Sequence, residues 1–109
     1  MAFTAGQQNS ITTDDTEVEI LGSPAASTQR IVRLINVYNA DTVAATVTIN
    51  FEDGSTERIL VKATLAAGDS LQMSGPIVLA NTDETLEAVL AVAATTTNLP
   101  VYVAYADIT

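Results

Sequence analysis

Apolar and polar residues alternate along this chain in short runs, and turn residues cut the runs apart. Residues 43–52 are the clearest case. Val43, Ala45, Val47, Ile49 and Phe51 fall on one side of an extended chain; Thr42, Thr46, Thr48, Asn50 and Glu52 fall mainly on the other. A period of two marks a strand with one face in a core. Asp53-Gly54 follows, a strong hairpin signal. Residues 56–64 then return as a strand, with Ile59 and Val61 expected on one face and Arg58 and Lys62 on the other. Residues 16–21 also alternate, and stop at Gly22-Ser23-Pro24. Residues 29–38 are β-branched and end at Asn39-Ala40-Asp41. Short strands at 70–73 and 77–80 are expected on either side of Gly75-Pro76, a pair that breaks an edge strand or turns a corner between sheets. In residues 85–95, Leu86, Ala88, Leu90, Val92 and Ala94 share one face. Ala and Leu also favour helix, but the regular alternation and the following Thr95-Thr96-Thr97 favour strand. Residues 100–108 form the last strand.

Seven or eight short strands with frequent turns predict an all-β fold, a seven- to eight-stranded antiparallel β-sandwich. The pattern fits jelly-roll and immunoglobulin-like strand orders equally well. Residues 1–15 carry no such pattern and read as a polar, extended amino-terminal arm ahead of a sandwich domain at 16–109.

Two strands are apolar on both faces. In residues 29–38, strict alternation puts Ile31, Ile35 and Val37 on one side and Val32, Leu34 and Tyr38 on the other. In residues 100–108, Val101, Val103 and Tyr105 oppose Tyr102, Ala104, Ala106 and Ile108. One face of each strand fills the core and the other needs a cover, for which a second subunit is the simplest candidate. Ile31, Ile35, Val37, Tyr38, Tyr102 and Tyr105 are therefore the candidate assembly residues.

Composition sharpens this picture. Apolar residues make up 48% of the 109 and charged residues only 16%, where a soluble monomer's surface usually carries about 25–35% charged residues. The formal net charge is −9, from 4 basic and 13 acidic residues. That balance argues against binding nucleic acid or an anionic membrane, both of which recruit Lys and Arg. The chain has no Cys and no His, so it lacks a thiolate ligand, the commonest general base and the commonest transition-metal ligand. Residues 1–8 lack the basic start and apolar run of a signal peptide.

Catalytic candidates are few. Lys62 reads as a solvated residue on a strand face. Glu52 with Asp53 and Asp83 with Glu84 are adjacent acids placed at turns, where Asp is common because it bonds its own backbone. Asp14, Asp15, Glu17 and Glu19 complete the acidic set. Paired carboxylates can cleave glycosides, but the usual sugar cleft is aromatic, and this chain has no Trp, 3 Tyr and 2 Phe. Hard cations such as Ca²⁺ take oxygen ligands. No Asp-x-Asp-x-Asp loop occurs, so the acids are expected as solvated surface charges. No catalytic residue, metal ligand or cofactor is assigned, and the chain is expected not to be an enzyme.

Residues 30–39, Arg-Ile-Val-Arg-Leu-Ile-Asn-Val-Tyr-Asn, lead into Val43-Ala44-Ala45-Thr46-Val47-Thr48-Ile49. Leu65-Ala66-Ala67-Gly68-Asp69-Ser70-Leu71 and Gly75-Pro76-Ile77-Val78-Leu79-Ala80 follow. Over residues 16–108 this order resembles small β-sandwich virion structural proteins of tailed bacteriophages, including capsid decoration (cement) proteins and tail-associated modules. The resemblance implies an oligomer, often a trimer, with no cofactor. It implies two partners, further copies of the chain and the major capsid protein. It also implies a place in the virion, on the capsid surface before the tail, after synthesis in the host cytoplasm. A tail or head–tail joint subunit is the alternative; a carbohydrate-binding or adhesion module ranks below both.

Overall fold

The computed structural model describes residues 3–12, 17–40, 42–91 and 99–109. Among these, eight strands and no helix occur: β1 (Phe3–Thr12), β2 (Val18–Leu21), β3 (Gln29–Tyr38), β4 (Ala45–Asp53), β5 (Thr56–Leu65), β6 (Ser70–Leu79), β7 (Glu84–Ala91) and β8 (Leu99–Ile108). They form two four-stranded antiparallel sheets in the orders β1-β8-β3-β6 and β2-β7-β4-β5. β1 pairs with β8, β2 with β7, β3 with β6, and β4 with β5. The chain is thus one long antiparallel ribbon wound over itself. That is the jelly-roll order, which local alternation alone left open.

The core lies between the sheets. Ile20, Leu21, Val32, Ile35, Val37, Val47, Ile49, Leu79, Leu86, Leu99, Val101 and Val103 are buried there, and Phe51, Leu71, Met73 and Ile77 pack against them. The β4–β5 hairpin forms at Asp53-Gly54 as expected, with Asp53 paired to Thr56 and Gly54 taking a left-handed φ of 61°. Residues 85–91 are strand rather than helix; Val92 and Ala94 lie outside the described residues.

Several expectations are corrected. The first ten described residues are not a free arm. They form β1, paired with β8 from Phe3↔Ile108 to Thr12↔Leu99; residues 13–15 of the expected arm lie outside the described residues. The alternation is hard to see because the inward positions of β1 are not apolar. Gly6 sits under the Tyr105 ring, where an added Cβ would come within 2.6 Å of Tyr105 Cζ. Gln8 crosses to the other sheet: its Oε1 accepts from the Gly22 N–H at 3.1 Å, and its Nε2 donates to the Glu19 carbonyl at 3.4 Å.

β6 is a single strand through Gly75-Pro76, not two. Pro lacks an N–H, and β6 is an edge strand, so nothing is missed there. Gly75 lies against a bulge of β3 between Val32 and Leu34. A Cβ on Gly75 would overlap the Val32 carbonyl oxygen, an approach only glycine permits.

That bulge also reverses the expected faces of β3. An extra residue flips every side chain beyond it. Val32 therefore joins Ile35 and Val37 in the core, while Ile31 moves to the outer face. A second bulge, between Ile49 and Asn50, separates Ile59 from Val61. Val61 packs on the core and Ile59 is exposed.

Candidate functional site

The outer face of the β1-β8-β3-β6 sheet follows from its registers. Across the centre, Ile31 pairs with Ala106 and Val78, Leu34 with Ala104 and Ser74, and Asn36 with Tyr102 and Gln72. β1 adds Phe3, Ala5, Gln7 and Asn9 opposite Ile108, Ala106, Ala104 and Tyr102. Phe3 is 69% exposed, and Tyr38 and Val78 are each 42% exposed. The forty residues of these four strands include only three charged ones, Arg30, Arg33 and Asp107. Arg30 and Asp107 pair with each other on the inner side, so Arg33, at the bulge, is the one charge offered outward. Beside it lies a shallow hollow of about 230 Å³, lined by Ile31, Val32, Arg33, Ser74 and Gly75.

The six candidate assembly residues divide accordingly. Ile31, Tyr38 and Tyr102 lie on this outer face. Ile35 and Val37 are fully buried core residues and cannot meet a partner. Tyr105 points inward, packed on the core, with the Arg30 guanidinium 4.3 Å above its ring. Phe3, Leu34 and Val78 belong to the face and were not among the six. For Phe3 and Val78 the signal is the absence of charge from residues 3–12 and 70–79; Leu34 already shares a face with Tyr38 in the alternation of residues 29–38.

Arg30 closes one end of the sandwich. It faces Asp107 directly across the β3–β8 ladder and makes two hydrogen bonds to its carboxylate, Nε–Oδ1 at 2.8 Å and Nη2–Oδ2 at 3.0 Å. Its Nη1 donates to the Gly22 carbonyl, just past β2 in the other sheet, at 2.9 Å. Asp107 and burial pull the guanidinium in opposite directions. Asp107 prevails, so the Arg30 pKa is raised and its charge held more firmly.

The other sheet carries the acids. Its outer face brings Glu17, Glu52 and Glu87 together, with one carboxylate oxygen of each within 4.8 Å of the others. Sequence adjacency paired Glu52 with Asp53, but neighbours on a strand point to opposite faces. Register instead sets Asn50 opposite Glu87. Burial, then hydrogen bonding with Glu17, pushes the Glu87 carboxyl up to about 8. Hydrogen bonding with Glu17 and then Glu52 pushes Glu57 up to about 7. Glu17 is lowered, first by its bond with Glu87. Glu84, the other acid expected at a turn, is a structural cap: its carboxylate accepts from the N–H groups of Ala80 and Asn81. Lys62 is an exposed residue opposite Thr48, as its strand position suggested.

No family model and no curated protein matches this chain. Its fold is similar to that of solved structures at low identity. The crystal structure of PirA aligns with a TM-score of 0.61 at 8% identity, covering 89% of this chain and 92% of that one. A structure from work on Bacillus endospore appendages, described as a family of disulfide-linked pili, aligns with a TM-score of 0.57 at 15% identity, covering 98% and 88%. An infectious bursal disease virus structure aligns with a TM-score of 0.47 at 10% identity over 32% of its chain. At these identities the likeness is one of fold. Among the described residues, no helix is long and apolar enough to cross a membrane.

Proposed function

We propose that this chain is a structural assembly subunit, not an enzyme, and that it docks through the outer face of the β1-β8-β3-β6 sheet, which offers one charge. The observation that carries this reading is the segregation of charge between the two sheets. One outer face offers Phe3, Ile31, Leu34, Tyr38, Val78 and Tyr102 with a single cation; the other carries Glu17, Glu19, Glu52, Glu57 and Glu87. Contiguous apolar surface rimmed by polar groups marks an association site, and a hollow within it suits a single anchoring side chain. The endospore appendage structure supports the use of such a domain as a building block. Those pili are disulfide-linked, whereas this chain has no Cys, so its own contacts would be non-covalent.

The finer reading is a capsid decoration protein of a tailed bacteriophage, a self-associating subunit that binds the major capsid protein and stabilises the head shell. It rests on the sequence resemblance over residues 16–108. The charge map supports it, because an acidic face suits the outside of a shell rather than its DNA-lined interior. Sedimentation velocity and shell binding test the two levels separately. The wild-type chain should sediment as an oligomer, and Tyr38→Arg with Val78→Arg should sediment as a folded monomer. A wild-type monomer that does not bind undecorated shells overturns the assembly reading. An oligomer that leaves shells bare, but is labelled by antibody at the tail, moves the subunit to the tail or head–tail joint.

A further inference from the structure

We propose, on the reading that the outer face of the β1-β8-β3-β6 sheet docks, that its partner is the acidic outer face of a second copy of this chain: Ile59 of one copy seats in the hollow beside Arg33 of the next, and Arg33 meets Glu57. The two surfaces differ, so the contact is heterologous and builds a closed ring or an open stack, according to the rotation between copies. Arg33 is exposed and has no acidic partner among the described residues. It is one of only 4 basic residues in a chain with 13 acidic ones. The like face of a second copy cannot answer it, because Asp107, the one acid in those four strands, is held by Arg30. The other outer face can.

Ile59 is the knob on that face. It is 63% exposed, more than any other large apolar side chain among the described residues except Phe3. The bulge in β5 puts it there. Without the extra residue between Ile59 and Val61, Ile59 would share the side of Val61, against the core. Carboxylates surround it. Glu87 lies in the same row, across β4 through Asn50, and Glu57 lies two residues along β5 on the same side, opposite Glu52. Two residues of strand span about 6–7 Å. Arg33 itself lines the hollow, so an Ile59 seated there brings Glu57 within reach of the guanidinium. Lys62, opposite Thr48, lies on the far side of Ile59 from Glu57 and keeps Arg33 to the acidic side. The hollow of about 230 Å³, walled by Ile31, Val32 and the bare backbone of Gly75, takes one branched aliphatic side chain. Carboxylates gathered within 4.8 Å of one another repel, and a guanidinium arriving from a neighbour offsets that repulsion. Four strands about 4.8 Å apart, ten residues long at about 3.3 Å per residue, present about 600 Å². The acidic face is somewhat shorter, so the contact covers about 1,000–1,200 Å² in total, the low end for specific interfaces, and assembly should depend on concentration.

Sedimentation velocity of the full chain over a concentration series tests the contact. The wild type should assemble as concentration rises. Arg33→Glu and Ile59→Lys each change an exposed side chain, so both should keep the circular dichroism of the wild type. Each should remain monomeric to at least about tenfold above the concentration at which the wild type is half assembled. Mixed in equal amounts, the two should form a dimer that grows no further, because the Ile59→Lys copy keeps its hollow and the Arg33→Glu copy keeps its Ile59. A variant that assembles like the wild type, a mixture that stays monomeric, or a monomeric wild type would each overturn the proposal. Failure of the docking face itself is distinguishable. If Tyr38→Arg with Val78→Arg disperses an oligomer that Arg33→Glu and Ile59→Lys leave intact, the face docks, but not through this contact.

Discussion

Arg30→Met isolates the contribution of the clamp at the end of the sandwich. Met keeps an apolar stem of similar length, so the change removes the guanidinium and little else. Two charge-assisted bonds to Asp107, one bond to the Gly22 carbonyl and the contact with the Tyr105 ring are lost together. Removing one member of a buried pair costs about 3–5 kcal/mol, because the other stays behind as an uncompensated charge. The side chains of Arg30 and Asp107 retain 15% and 22% of their surface exposed. Water can therefore reach the orphaned carboxylate, which lowers the expected cost to about 2–3 kcal/mol. A domain of this size is stable by about 5–15 kcal/mol, so the loss is a substantial fraction. With a urea m-value of about 1–3 kcal/mol/M, the denaturation midpoint should fall by about 0.7–3 M with m unchanged. Adding Asp107→Leu should recover part of the loss, since no charge is then stranded. A cost below about 0.5 kcal/mol, the level of an exposed ion pair, would refute the reasoning: the sheets would then be held at that end by packing alone.

Other perturbations separate core, joint, edge and surface. Ile35→Ala should cost about 2–5 kcal/mol in urea denaturation, whereas Tyr38→Ala, on the outer face, should cost under about 1 kcal/mol. Asn39 is buried, and its Nδ2 donates to the carbonyls of Val43 and Leu65 at 2.9 and 3.0 Å. Asn39→Ala should lower stability by about 2–3 kcal/mol by leaving both acceptors unmet. Gly75→Ala should lower it by about 1–3 kcal/mol or more, because the new methyl meets the Val32 carbonyl oxygen. In EDTA, melting temperature should rise as pH is lowered from about 8.5 to about 5. Glu87 and Glu57 have folded values raised to about 8 and about 7, so the folded state holds protons the unfolded chain has released, and that stability is lost as pH climbs through those values. Glu17, which is lowered, contributes oppositely and only at the acid end. A melting temperature that falls on acidification across that window would contradict the reading.

How much of this was legible in the sequence differs by element. The β4–β5 hairpin could be read directly, because its signals are local: alternation on both sides of Asp53-Gly54. Strand identity at residues 86–91 could be read from regular alternation against helix propensity. Facing could not be read wherever a bulge intervenes. Val32, Ile35 and Val37 share the core only because one extra residue sits between Val32 and Leu34, and no periodicity reports that insertion. The clue was Gly75, a glycine in a strand interior, whose meaning depends on which strand lies beside it. β1 escaped notice because its inward positions are Gly6 and Gln8, one emptied for the Tyr105 ring and one bonding backbone. The carboxylate cluster was invisible for a related reason: Glu17, Glu52 and Glu87 become neighbours only through the order β2-β7-β4, which is set by pairing across the whole chain.

The winding has a consequence for synthesis. β1 is made well before its partner β8, with Thr12 and Leu99 ending up side by side. At roughly 5–20 residues per second, β1 waits on the order of 5–20 s for the strand that will accept it. A hydrophobic segment left unpaired for that time would invite pairing with the same segment of another nascent chain. Gln7, Gln8, Asn9 and Ser10 are poor material for such contacts. The polarity that hides β1 from a pattern search is what lets it wait in water without harm.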